Sequence, residues 1–198
     1  RTDLARLRPS VGVLFELTKA RLSLTVVLTT AVGYIVASGA QIGWWRLLWT
    51  VVGTSLSAGS ANAFNQVLEM KRDARMCRTR GRPLPSHRIT PRRAVQWSVL
   101  MGLAGCTLLA LAVNVLTAAL AALTIAVYLV LYTPLKLRTT LNTLVGAVCG
   151  ALPPLMGWAA ATGRLDTGAW ALALILFVWQ IPHFMALAWL YRKDYRRG

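Results

Sequence analysis

The chain has 198 residues, of which 56% are hydrophobic and only 14% charged, well under the ~25% of a soluble domain. Lysine and arginine number 22 against 6 acidic residues, a formal charge of +16, and the mean hydropathy is +0.54. This excludes a disordered chain and argues against a soluble globule. Because the basic residues alternate with long uncharged apolar runs, the reading is an all-α, polytopic membrane protein with basic loops on one side, not a nucleic-acid binder.

In chain order, six apolar stretches reach the ~20 residues that a bilayer crossing requires: roughly 20–39, 44–66, 92–113, 115–134, 141–162 and 168–191. Lys19 and Arg21 stand at the entrance of the first. The second opens with Trp44 and Trp45 and turns small and polar towards Ser55, Ser57, Ser60, Asn62 and Asn65. Pro91, Arg92 and Arg93 lead into the third. The fifth carries Gly146, Gly150, Pro153, Pro154 and Gly157, which predict a break or kink. The sixth contains Pro182 and His183. No soluble domain, repeat or low-complexity tract interrupts this single membrane domain, and the loop 67–91 is its largest polar segment. The chain ends at Gly198, soon after the last apolar run, which predicts that a C-terminal part is missing. Three scattered cysteines, Cys77, Cys106 and Cys149, have no disulfide or zinc-site spacing.

Alternating the six spans puts every lysine and arginine except Arg46 and Arg164 on one side. The positive-inside rule assigns that side, with the N-terminus and loop 67–91, to the cytoplasm. Topology alone accounts for most of the basic residues, but not for their acidic neighbours.

Asn65, Glu69 and Asp73 are spaced four apart. On a helix they share one face, drifting ~40° per step over ~12 Å. Two carboxylates and an amide form a hard-oxygen set suited to Mg²⁺ shared with substrate phosphates; paired helix-end residues would give the same spacing. Arg78 and Arg82 follow at once and offer fork donors for phosphate oxygens. Carboxylates beside arginines at a membrane face point to a lipid diphosphate, whose departure needs its developing charge neutralised. Tyr132, Lys136 and Arg138 fall in the next loop on the same side. Lys136 adds a cation, although interfacial tyrosines and snorkelling bases are common in membrane proteins. Trp179, Gln180, Pro182, His183 and Phe184 lie inside the last span, with Asp194 beyond it. His183 is an intramembrane ionisable residue and therefore a functional candidate, with a helix–helix hydrogen bond as the plain structural alternative. Asp194 is either a metal ligand or a partner for Arg192 or Arg197.

At these residues the sequence resembles the UbiA-type intramembrane prenyltransferases, whose NxxxDxxxD motif here reads Asn65, Glu69, Asp73. The resemblance is strongest to the branch that farnesylates protoheme. It runs through NQxxExxxDxxMxRTxxRPLP at 65–85, YTPLKxRTxxNTxxGAxxGAxPPxxGW at 132–158 and WQIPHFxALAWxYRxDYxxG at 179–198. Members of that branch continue through about three more membrane helices. The resemblance implies an enzyme that moves the farnesyl group of farnesyl diphosphate to a vinyl group of protoheme IX, with water completing a hydroxyethylfarnesyl side chain. It implies Mg²⁺ as cofactor, and a multi-pass protein of the cell inner (plasma) membrane with its site facing the cytoplasm. Protein partners implied are heme A synthase or a terminal-oxidase assembly. Carried over by motif, Asn65, Glu69 and Asp73 bind Mg²⁺-diphosphate and, with His183, form the catalytic set; Asp194 is a further metal candidate. Arg78, Arg82, Lys136 and Tyr132 bind the diphosphate, and His183 contacts heme or manages a proton.

Two departures stand out. The second DxxxD of the superfamily is absent, since Leu190 stands four residues before Asp194, and His87 replaces a more usual glycine. Competing readings are a UbiA-type enzyme acting on a quinone precursor or a chlorin, and, in a different class, a membrane transporter. Transporter sites lie near the midplane, whereas the polar groups here gather at one interface. A head-group transferase of the CDP-alcohol type would need an acidic motif that the chain lacks.

Overall fold

The computed structural model describes residues 10–136, 139 and 141–190, with the side chain of Ala188 left aside. Among the described residues all regular structure is helical: α1 (Val11–Leu17), α2 (Ala20–Ser38), α3 (Trp44–Asp73), α4 (Pro91–Ala112), α5 (Val115–Ala126), a wide π-helical turn (Val127–Tyr132), α6 (Thr133–Leu135), α7 (Asn142–Thr162) and α8 (Thr167–Leu190). The starts follow local chemistry. Ser10, Thr90 and Asn114 each cap the next helix by accepting from the backbone N–H three residues on, and Pro91 fills a first-turn position where no donor is required. Gly163 closes α7 with φ 73°, a left-handed conformation that favours glycine.

Five helical stretches are long and apolar enough to cross a membrane: 20–38, 91–112, 115–135, 142–162 and 167–187. The chain is therefore an integral, multi-pass membrane protein. The remaining expected span, 44–66, forms as part of α3 but is not one of the five. Its 30 residues continue to Asp73, and its inner face carries buried Thr50, Thr54, Ser57, Ser60, Asn62, Asn65 and Gln66. Hydroxyls and amides turned towards neighbouring helices, as Ser60, Asn62 and Gln66 are, lower hydropathy without exposing polar groups to lipid. The loop placed at 67–91 accordingly begins only at Ala74, and Glu69 and Asp73 are helical.

Of the break or kink expected in the fifth span, the break is absent: α7 is continuously helical through Pro153 and Pro154. It is the central helix, packed on α2, α5 and α8. A methyl group at Gly157 would collide with the carbonyl oxygen of Thr30, and one at Gly33 with that of Pro154. Glycine lets α2 and α7 approach backbone to backbone, and that packing carries the prolines, as neighbouring helices do for prolines in membrane spans. The α3–α4 contact works likewise: a Cβ at Gly105 would stand 2.6 Å from Ser57 Oγ, and Ser60 Oγ donates to the Ser98 carbonyl at 2.7 Å.

Two ties fix which helix ends lie together. Asn114 Nδ2 donates to the Ala159 carbonyl at 2.8 Å, joining the start of α5 to the end of α7. At the opposite end Thr133 reaches Asn65, and Lys136 pairs with Glu69. In the 74–90 loop, Arg88 clasps Glu16 (Nη1 to Oε1, 3.0 Å) and the Gly81 carbonyl. His87 adopts φ 57° in the same loop, which explains why glycine suits that position better.

Candidate active site

The site assembles where α3, α6 and the α1–α2 junction meet. The four-residue spacing on α3 does place Asn65, Glu69 and Asp73 on one inward face, and all three are buried. Asn65 Nδ2 donates to Glu69 Oε2 at 2.9 Å. The other Glu69 oxygen pairs with Lys136 Nζ from the end of α6. Arg82 Nη1 donates to Asp73 Oδ2 at 2.6 Å, and Thr79 Oγ1 donates to the Asp73 carbonyl at 2.9 Å, drawing the 74–90 loop over the helix end.

The π-turn sets Lys136 and Thr133. Pro134 has no N–H, and in a tight helix its ring would meet the carbonyl four residues back; a wide turn relieves this. Thr133 Oγ1 lies 3.0 Å from Asn65 Oδ1 and 2.8 Å from the Tyr128 carbonyl. Its single proton serves one at a time.

Lys19 is the cation that sequence reading placed only at a membrane boundary. It links α1 to α2 in a left-handed conformation, φ 48° and ψ 57°. Buried Gln66 clamps this junction, with Nε2 donating to the carbonyls of Glu16 and Leu17 at 2.8 and 2.9 Å, while Ser23 Oγ takes the Thr18 carbonyl at 2.9 Å. Strain of this kind persists where the surroundings over-determine it, often at functional sites. Burial pushes the Lys19 ammonium down to about 8; Arg82 and Lys136 push the same way, and Glu69 and Asp73 partly oppose them. The only sequence signal for this role was a lysine directly before an apolar span.

Two carboxylates thus face three cations, Lys19, Arg82 and Lys136. When Lys19 is protonated the cluster carries one excess positive charge, matching a Mg²⁺–diphosphate ester with one net negative charge. Among the described residues no group of three or more His, Cys, Asp and Glu side chains forms a self-contained metal cage. Mg²⁺ needs none when phosphates and water complete its shell, so the hard oxygens of Asn65, Glu69 and Asp73 fit that ion. Arg78 is exposed in the 74–90 loop. Arg138 and Asp194 lie outside the described residues.

Beneath the cluster opens a cavity of about 210 Å³, lined mainly by apolar groups of α2, α3, α5, α7 and α8. It begins one residue from the polar site. Tyr132 precedes Thr133, lines the cavity, and stacks on Tyr128 at 5.2 Å between ring centroids. Asn62 lies one turn below Gln66 on the same wall, with its Nδ2 on Ser23 Oγ at 3.1 Å. Gly146 faces Tyr132 and Phe184; one turn deeper, Gly150 faces Gln180 so closely that a methyl group would collide with the amide. His183 is not brought to this wall. It is exposed and stacked on Trp179 at 5.0 Å, and its neighbour Phe184, 6.1 Å away between ring centroids, lines the cavity instead. From α8, Gln180 and Phe184 line the cavity. Sequence reading chose His183 because it ionises, whereas facing depends on the rotation of α8.

The model of the UbiA prenyltransferase family matches residues 26–198. The chain is 49% identical over 185 residues to the mitochondrial protoheme IX farnesyltransferase of Arabidopsis thaliana, covering 93% of this chain and 43% of that protein. It is 44% identical to the protoheme IX farnesyltransferase of Solibacter usitatus, covering 92% and 66%, and 48% identical to that of an Anaeromyxobacter species, covering 100% and 68%. The chain therefore spans between under half and about two thirds of the length of these relatives. In three dimensions it is similar to a digeranylgeranylglyceryl phosphate synthase, with a TM-score of 0.81 at 17% identity, covering 95% of this chain and 66% of that one; that likeness concerns the fold. A buried, ion-paired Asn–Glu–Asp stripe over an apolar cavity, the family match and the shared helical fold lead to one conclusion: the chain belongs to the UbiA prenyltransferase family.

Proposed function

We propose that the protein transfers the farnesyl group of farnesyl diphosphate to a vinyl group of protoheme IX, giving heme O and diphosphate. One observation carries the reading: a cation-rich cluster with two carboxylates sits directly on the mouth of an apolar cavity. Such a site suits a substrate with an anionic head and a hydrocarbon tail. The acceptor is supported by the likeness, at 44–49% identity, to protoheme IX farnesyltransferases.

In this reading Asn65, Glu69 and Asp73 would hold Mg²⁺ with the diphosphate, and the ion would supply charge neutralisation for the leaving group. Lys19, Arg82 and Lys136, with Arg78, bind the remaining phosphate oxygens. To do so Lys136 and Arg82 turn from Glu69 and Asp73, which frees the carboxylates as the substrate arrives. Charges held in place before reaction cost little reorganisation when the C–O bond breaks. Tyr128, Tyr132 and Phe184 keep water from the allylic carbon and present aromatic faces to its positive charge. His183 contacts the acceptor from the outer side of α8.

The site faces the cytoplasm across the plasma membrane, by the charge asymmetry of the loops, and the product passes to heme A synthase or a terminal oxidase. Membranes expressing the protein, given protoheme and farnesyl diphosphate, are expected to form a heme of higher mass and hydrophobicity. A porphyrin left unchanged while another acceptor is prenylated would overturn the assignment. For sidedness, a Ser86→Cys variant is expected to react with an impermeant thiol reagent only after the cells are permeabilised, judged against a Cys77→Ser background.

A further inference from the structure

Among the described residues that line the cavity, one offers a buried side-chain acceptor with no hydrogen-bond partner. Gln180 enters from α8 at the level of Gly150, one turn deeper than Phe184. Its Oε1 is buried, and no described residue donates to it. An unpartnered buried acceptor is costly, and this one faces a cavity, so it suits a donor that arrives later. Gly150 admits the amide, since any side chain there would displace it. The surrounding lining is chiefly apolar, so the arriving donor must be small and neutral.

The proposed reaction requires such a molecule. When the C1–O bond of farnesyl diphosphate breaks, the electron pair leaves with the diphosphate. The terminal vinyl carbon forms the new C–C bond to farnesyl C1, which leaves a cation on the carbon attached to the porphyrin. A water oxygen then bonds to that carbon and loses one proton to the departing diphosphate. Without a held water, the cation loses a neighbouring C–H proton instead and ends as an alkene. The balanced reaction is protoheme, farnesyl diphosphate and water giving the hydroxylated product and diphosphate.

We propose that Gln180 is the residue that positions this water: its Oε1 accepts one water hydrogen and turns a lone pair towards the cation. A carboxamide suits the task because it accepts strongly yet stays neutral, and so does not pair with the cation. The inference rests on the farnesyl-transfer reading, and the readout separates the two. It is the ratio of hydroxylated to alkene product, resolved by mass, which is independent of the overall rate.

Wild-type membranes in ¹⁸O-water are expected to give the hydroxylated product carrying the label. Gln180→Leu and the length-matched Gln180→Met are expected to shift the ratio at least tenfold towards the alkene, lighter by one water. Gln180→Glu, held as the neutral acid by its apolar surroundings, retains an acceptor oxygen and is expected to restore the hydroxylated product. An unchanged ratio in folded Gln180→Leu or Gln180→Met would overturn the proposal. So would failure of both variants to accumulate in the membrane, which would make Gln180 a packing residue. If wild-type membranes form no farnesylated heme at all, the reading of the reaction fails, not the assignment within it.

Discussion

At the ends of α3 and α6, Glu69 and Asp73 are held by Lys136 and Arg82, whereas one turn below the cavity mouth Gln180 Oε1 meets no described donor and is surrounded by aromatic and small side chains. The first region is saturated with charge and the second nearly empty of it. Charge at the cluster is paid for within the protein, because burying an unpaired carboxylate or ammonium costs several kcal/mol. Below, a group left without a partner is tolerable because it is neutral. In the proposed reaction the difference separates two tasks: the upper region would neutralise a leaving group, and the lower one would shape and shield the carbon it leaves behind.

The largest break in this contrast is expected from the cluster. Asp73→Asn keeps shape but removes the charge that balances Arg82. It should lower prenyl transfer by ~10²–10³-fold, the scale of losing one preorganised electrostatic contact, while the protein stays in the membrane. Glu69→Asp keeps a carboxylate and should lose less. Turnover of both variants at saturating Mg²⁺ checks the order; near-normal Asp73→Asn turnover removes Asp73 from the metal site.

Lys19 sharpens the comparison through pH. Its ammonium titrates at about 8 in the free protein, and a bound diphosphate favours the charged form and raises that value. Diphosphate affinity should therefore be full below about 8 and fall as pH rises from there towards the bound-state pKa. Lys19→Arg stays charged throughout and should flatten the profile. Lys19→Met should bind diphosphate about tenfold more weakly at neutral pH, a loss of ~1.4 kcal/mol. Titration calorimetry with inorganic diphosphate at several pH values measures all three. For stability the sign is opposite: above about 8 the unfolded chain holds more protons than the folded one, so the penalty for burying Lys19 diminishes as pH rises.

Gly157→Ala tests the scaffold beneath both regions. The added methyl meets the Thr30 carbonyl, and overpacking of this kind costs ~1–3 kcal/mol. A lower melting temperature in detergent is expected, with cavity-dependent steps impaired more than inorganic diphosphate binding. The smallest effect belongs to His183→Ala. Its ring stacks on Trp179 outside the cavity wall, so diphosphate affinity should be unchanged while porphyrin affinity falls severalfold. Equal loss of both would move His183 into the packing of α8.

Sequence alone determined the helical membrane class, the one-sided charge and the stripe Asn65, Glu69, Asp73. Each depends on composition or on the 3.6-residue repeat, which are local properties. Tertiary structure decided what depends on helix rotation and depth. Pro153 and Pro154 do not break α7, because Gly33 and Gly157 let α2 brace it at backbone distance. The polar half of α3 stays helical, because its hydroxyls and amides face neighbouring helices. Lys19 became a site residue only when Gln66, some fifty positions on, clamped its junction over Glu69. On α8, His183 and Gln180 are three residues apart, so a small rotation decides which one enters the cavity. That rotation is set by Gly146 and Gly150 on α7, whose missing side chains leave room for Phe184 and Gln180.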